Sequence, residues 1–254
     1  MPFDQQIPDN IVAGRNAVSE LLRSGRDIEY LMVAQNAGGA AVPILKTCRQ
    51  KGIVVKEMPR QKLDAKLPGI NHQGIAAVVS AAEYISLSDL IERAKSDPDN
   101  PPFLVLLDNL EDPHNLGAII RTGEAAGIHG IIIPKRRSVG LGGIAAKVAS
   151  GAVEYVPVCR VPNLAATIDT LKENGIWVFG ADMDGDALFQ TDFSGPCAIV
   201  IGSEGKGISR LVKEKCDLLV SIPMRGRINS LNASVAAGVM LYSVVRSREQ
   251  NRKG

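Results

Sequence analysis

Five polar residues stand on three glycine-rich stretches, and their types suit one task. They are Asn115, Arg121, Glu204, Ser230 and Asn232. Asn115 lies in Asp112-Pro113-His114-Asn115-Leu116-Gly117, and Arg121 follows six residues later, near the loop end of the predicted helix. A guanidinium placed there can grip a phosphate with two parallel hydrogen bonds. Glu204 sits in Gly202-Ser203-Glu204-Gly205-Lys206-Gly207, where packing gives no reason for an acid, so it is expected to accept hydrogen bonds. Ser230 and Asn232 precede a helix rich in small residues, namely Ala233, Ala236, Ala237 and Gly238. Helix starts offer free N–H groups, and small residues let a backbone or a flat ligand approach closely. Taken singly, Asn115 and Asn232 could be helix caps, and Arg121 could pair with a carboxylate on its own helix. Taken together, they predict one shared site.

Generic motifs do not account for these stretches. The 202–207 segment is not the phosphate loop of nucleotide triphosphatases, because its first glycine is too close and no Ser or Thr follows Lys206. Gly140-x-Gly142-x-x-Ala145 has the outline of a dinucleotide fingerprint, but Pro134–Arg137 separates it from its strand and no acid follows at the right distance. No Ser-His-acid arrangement is evident, and three histidines do not suggest a metal site. His72 reads as a turn or surface residue, with RNA contact as the sharper alternative.

Positioning these stretches requires a parallel α/β sheet. Phe103–Leu107 is a continuous apolar run, as expected of a strand buried on both faces. Further strands are predicted at 131–133, 153–158, 176–180, 198–201 and 217–222, with helices between them and a last helix from the Asn/Ser cap onward. Ahead of them, residues 11–80 alternate helix and strand as a smaller α/β unit, with a helix from Ile11 capped at Asn16. The expected domains are residues 1–83, a linker at 84–102 rich in Pro, Asp and Asn, and residues 103–254. Residues 1–10 read as a loose tail.

The chain has 254 residues, of which 45% are hydrophobic, and a net charge of +2. No apolar run reaches a membrane span and no signal peptide is visible, so the expected location is cytoplasmic. Cys48, Cys159, Cys197 and Cys216 are widely spaced and read as buried reduced thiols. Residues 46–66 carry seven basic residues against two acids. Lys135-Arg136-Arg137, Arg225 with Arg227, and 246–253 are further basic clusters. Such clusters can neutralise phosphates, although solvated faces share the pattern.

The three stretches, in this order, resemble the motifs of the SpoU-type 2′-O-ribose RNA methyltransferases of the SPOUT superfamily. They are Asp112–Arg121, Ile199–Gly207, and Ile222-Pro223-Met224 with Ser230–Ala236. Gly14–Val18 and His72–Ile75 are similar to the small substrate-binding domain of the 23S rRNA guanosine-2′-O-methyltransferase branch. The resemblance implies a parallel-sheet domain with a C-terminal trefoil knot, preceded by a small α/β domain like a ribosomal-protein fold. It also implies S-adenosylmethionine as the methyl donor, 23S rRNA as substrate, and a homodimer with its sites at the subunit interface. Residue by residue, it carries functional roles to Asn115, Arg121, Glu204, Ser230 and Asn232, and a cofactor lining to Gly202, Ile222 and Leu231. In that reading Arg121 holds a phosphate, while Glu204 and Asn115 orient Arg121 and the ribose. Two alternatives stay open: tRNA as substrate, and a non-catalytic RNA-binding factor of ribosome assembly.

Overall fold

The computed structural model describes residues 10–35, 37–227 and 230–252. The expected N-terminal tail up to residue 9, residues 228–229 of the loop before the last helix, and residue 253 of the last basic cluster lie outside them. The chain forms two units: residues 1–83 with 140–143, and residues 84–139 with 144–254.

The first unit comprises β1 (Ile11–Ala13), α1 (Arg15–Ser24), β2 (Ile28–Ala34), α2 (Val42–Gln50), β3 (Val54–Met58), α3 (Arg60–Lys66) and β4 (Ile75–Val79). Its strands lie in the order β1-β4-β2-β3, with β2 and β3 parallel and the other pairs antiparallel. Alternation along β2 fills two layers. Leu31 packs with Val18, Leu22, Ile44 and Cys48 under α1 and α2, while Met32 and Ala34 pack with Leu63 and Leu67 of α3. The helix expected from Ile11 begins later, at Arg15. Residues 11–13 form a strand instead, because Ile11 pairs with Val78 across the sheet. Its cap is Gly14 rather than Asn16. His72 is neither a surface residue nor a free RNA contact. It is buried, with Nε2 2.8 Å from Asp64, and its Nδ1 accepts the Gly74 N–H, which pegs the 71–74 turn.

The second unit holds β5 (Tyr84–Ile85), α4 (Leu87–Lys95), β6 (Phe103–Leu107), α5 (Pro113–Ala125), β7 (Gly130–Pro134), α6 (Gly143–Ala149), β8 (Val158–Val161), α7 (Leu164–Glu173), β9 (Trp177–Ala187), β10 (Cys197–Ile201), α8 (Arg210–Lys215), β11 (Leu218–Ser221) and α9 (Ala233–Asn251). Seven strands in the order β11-β9-β10-β6-β7-β8-β5 make an all-parallel sheet. The central strands β6 and β10 are buried throughout, as their unbroken apolar runs require. One face packs Leu104, Leu106, Ala198 and Val200 against α4, α7 and α8. On the other face α9 lies against β10 and packs on α5.

Two expectations change here. The segment expected as a linker is built into the second unit: β5 pairs with β8, and α4 buries Leu90, Ile91 and Ala94 in the core. Its polar exposed face hides that stripe from a composition reading. The strand expected at 153–158 is shifted to 158–161, because residues 152–154 close a 3₁₀ turn. Among the described residues, no helix is long and apolar enough to cross a membrane.

Arg248 fastens the end of α9. It is buried, donates to Asn100 Oδ1, Pro101 O, Pro102 O and Gly195 O at 2.7–3.0 Å, and its guanidinium lies 5.0 Å from the Phe103 ring centre. Burial lowers its pKa from the ordinary arginine value, yet the carbonyl cage satisfies the cation. Arg248→Met keeps the bulk but strands these acceptors. It is expected to destabilise the second unit by about 2–4 kcal/mol, seen as a lower urea midpoint with unchanged slope.

Candidate active site

Parallel strands deliver their following loops to one edge of a sheet. β6 and β10 are neighbours, so the loops after Leu107 and Ile201 leave side by side. Asp108 ties them. Its backbone N–H donates to Ile201 O at 2.8 Å, and its buried carboxylate accepts the Ser209 N–H at 2.6 Å. Between these anchors, Ser203 and Gly207 exchange backbone hydrogen bonds of 3.2 and 2.9 Å and fold residues 202–207 into a tight turn.

The α5 start follows from Asp112. This residue caps the helix by accepting the His114 N–H at 2.9 Å, and Pro113 fills the first turn. The bond to the His114 backbone, then that to its ring, holds the Asp112 carboxyl below the usual range. Asn115 is therefore free of capping and turns inward, buried. Asn232 does cap α9, accepting the Ser234 and Val235 N–H groups at 3.0 and 3.3 Å.

Glu204 joins the three stretches. Its Oε1 accepts from Asn115 Nδ2 at 3.1 Å, from Asn232 Nδ2 at 2.5 Å and from the Ala233 N–H at 3.2 Å. Asn232 Nδ2 also donates to Asn115 Oδ1 at 2.9 Å. The carboxylate thus sits at the start of a 19-residue helix, where the helix dipole favours a negative charge.

Beside this cluster lies a cleft of about 240 Å³. Gly202, Glu204, Ile222, Ser230 and Leu231 line it, so all three residues expected to hold a cofactor share it with two of those expected to act on substrate. Asn115 and Asn232 join it through Glu204. Arg121 does not. It is exposed on α5, neither lines the cleft nor makes a hydrogen bond or ion pair among the described residues. Within one chain, Glu204 and Asn115 bond each other and Asn232 rather than Arg121.

The sequence reading passed over Asp182 and Met183, which line the cleft from β9. Their position where a buried strand turns exposed was the available signal. Burial pushes the Asp182 pKa up. The hydrogen bond from Lys213, 2.9 Å away, the Asp184 N–H and the Lys213 charge together outweigh it and hold the carboxyl below its usual range. Lys213 is raised in turn, chiefly by the same bond. The Gly140–Ala145 stretch, rejected as a dinucleotide loop, is filled by protein. A side chain on Gly140 would collide with the Glu29 carboxylate, and Leu141 is buried.

Comparisons with known proteins find relatives over nearly the whole chain. A family model described as the SpoU rRNA Methylase family matches residues 102–242, and one for RNA 2′-O ribose methyltransferase substrate binding matches residues 11–85. The chain is 50% identical over 239 residues to YacO of Bacillus subtilis, named for the TrmH family of tRNA/rRNA methyltransferases, covering 93% of this chain and 95% of that one. Among solved structures, it is similar to the SpoU methyltransferase AviRb from Streptomyces viridochromogenes in complex with the cofactor AdoMet. That match has 27% identity and a TM-score of 0.59, over 96% of this chain and 91% of that one. An AdoMet-bound rRNA methyltransferase from Sinorhizobium meliloti matches at 26% identity and a TM-score of 0.59, over 93% and 86%.

The turn at 202–207 gives a direct test. A Cβ on Gly202 would lie 2.1 Å from the Gly207 carbonyl carbon and 2.3 Å from Ile208 N, both backbone. Gly205 has φ +78° but open space around it. Gly202→Ala is expected to cost about 2–3 kcal/mol by forcing the turn off the strand end, and Gly205→Ala only about 1 kcal/mol. Thermal unfolding of the two variants checks the order.

Proposed function

The chain belongs to the SpoU rRNA methylase family, and we propose that it transfers a methyl group from S-adenosylmethionine to the 2′-hydroxyl of a guanosine in 23S rRNA. The observation that carries this reading is the cleft beside the Glu204 cluster. Gly202, Ser203, Ala233 and Ala236 bring backbone close to its interior, while Ile222, Leu231 and Met224 supply apolar walls. Such a lining suits a flat heterocycle read through main-chain groups. The donor, when bound, supplies a methyl on a positively charged sulfur. Glu204, Lys206 and Asp182, the last paired with Lys213, are the charged residues lining the same cleft.

The remaining work belongs to the chain. Asn232, its carboxamide spent on Glu204, Asn115 and the α9 start, fixes the end of this loop, and Ser230 presents a hydroxyl to the ribose. Arg121 grips the phosphate beside the target nucleotide and holds the 2′-oxygen in line. Its planar guanidinium offers paired donors that match a phosphate. Alignment of this kind is a major part of the rate enhancement in a transfer between two bound partners.

Arg121 reaches the site from a second copy of the chain. It stands on α5 next to Thr122, which meets Gly238 of α9. Val235 and Tyr242 of α9 are exposed apolar residues. A homodimer pairing these helices would cover them and place each Arg121 beside its neighbour's cleft. The first unit holds the RNA, and the exposed cations of residues 46–66 contact its phosphates. The same reading includes a C-terminal trefoil knot and a cytoplasmic location.

Two measurements test the proposal. Arg121→Ala and Glu204→Ala should each abolish methylation, with AdoMet affinity in the first left intact. Mixed in equal amounts after subunit exchange, they should regain about a quarter of the wild-type activity, because half the dimers then carry one complete site. No recovery would place both residues in one chain's site. Mapping 2′-O-methylation in 23S rRNA and tRNA, from cells with and without this protein, should show one guanosine of 23S rRNA losing its methyl group. Loss confined to tRNA would favour the tRNA reading, which the names of the curated relatives keep in view.

A further inference from the structure

Three consecutive cations, Lys135, Arg136 and Arg137, follow β7. β7 pairs in parallel with β6, so this loop leaves the sheet at the same edge as the loop from Asp108 to Asp112 that leads to Asn115. Both ends of the loop are fastened. The Lys135 N–H donates to Val161 O at 2.8 Å, and Arg160 donates to Lys135 O at 3.2 Å. At the far end, the Val139 N–H donates to Leu110 O at 2.7 Å, which ties the loop to the stretch feeding the site. Arg137 has φ +57°, a left-handed conformation uncommon for a residue with a long side chain.

All three side chains are exposed, and none makes a hydrogen bond or ion pair among the described residues. The stretch the loop is tied to carries two exposed acids, Glu111 and Asp112, and Asp112 is spent on its own helix start, where it accepts the His114 N–H. An ordinary solvated face mixes both signs and needs no anchoring. Here like charges are held in sequence at a fixed place, at a cost in mutual repulsion that a polyanion relieves.

We infer that the 135–137 loop is a second grip on the RNA, binding backbone phosphates that flank the target ribose. The inference rests on the methyltransferase reading. It adds that the second unit holds RNA by itself, independently of the cations at 46–66. Phosphate contacts of this kind position the strand without reading its bases.

The test uses the full-length protein and an unmodified 23S rRNA transcript. Binding is measured over a series of salt concentrations for wild type, for Lys135→Gln/Arg136→Gln/Arg137→Gln, and for Arg136→Lys/Arg137→Lys, with AdoMet affinity followed by calorimetry. In the triple variant the slope of log affinity against log salt should fall by about 2, at about 0.7 for each phosphate of single-stranded RNA that is no longer neutralised. Its RNA affinity at physiological salt should drop about tenfold to a hundredfold, with AdoMet affinity unchanged. The lysine variant should keep the wild-type slope, since an ammonium also neutralises a phosphate. An unchanged slope in the triple variant overturns the grip and leaves the methyltransferase reading standing. A wild-type protein that binds AdoMet yet neither binds nor methylates RNA overturns that reading and the grip with it.

Discussion

A single carboxylate oxygen, Oε1 of Glu204, holds the site together. It accepts three hydrogen bonds from groups 89 and 28 residues away in sequence and from the backbone of α9. Bonds to an ionised acceptor are roughly twice as strong as neutral ones, and the start of α9 adds its dipole. Asn115 is buried, so each end of its amide must find a partner. It finds Glu204 at one end and Asn232 at the other. None of the three side chains can turn without stranding the other two. The 202–207 turn, the α5 start and the α9 start are therefore set by one another, and Asp108 repeats the device one step back by joining Ile201 and Ser209.

That arrangement depends on the sheet. In an all-parallel order with β6 and β10 adjacent, the strands end at one edge and their loops must meet there. The apolar runs that bury both central strands were plain in the sequence, and with them the parallel α/β class. Elements made by pairing at a distance were not. Residues 11–13 have a helix-compatible pattern and become a strand only because β4 is there to receive them. The two-residue β5 has no pattern of its own, and α4 hides its buried stripe among Asp89, Glu92, Arg93 and Lys95. His72 looked like a surface residue because its partner, Asp64, lies on another element.

The site was legible in its parts and less so in its bonds. Residue types and loop positions singled out Glu204, Asn115 and Asn232, and the cleft lining at Gly202, Ile222 and Leu231 followed the resemblance. Spacing could not decide whether an asparagine near a helix start is a cap. Asn232 proves to be both cap and cluster member, whereas Asp112 takes the cap at α5 and leaves Asn115 to the cluster. The placing of Arg121 was within reach of geometry. At about 100° per residue, six residues turn a helix by about 240° beyond a full turn, so Arg121 cannot share a face with Asn115.

The separation of Arg121 from Glu204 has a physical logic. A guanidinium within the cluster would compete with Asn115, Asn232 and the Ala233 N–H for the same oxygen, and a bidentate pair would win against neutral donors. The carboxylate would then hold an arginine rather than three loops, and that arginine would have fewer donors left for a phosphate. With only neutral donors around it, Glu204 serves as a joint between the three loops. Arg121, exposed and without a partner among the described residues, keeps all its donors for an anion. Neutral donors on one carboxylate build the scaffold, and the cation that must release its ligand after each turnover is held on another helix.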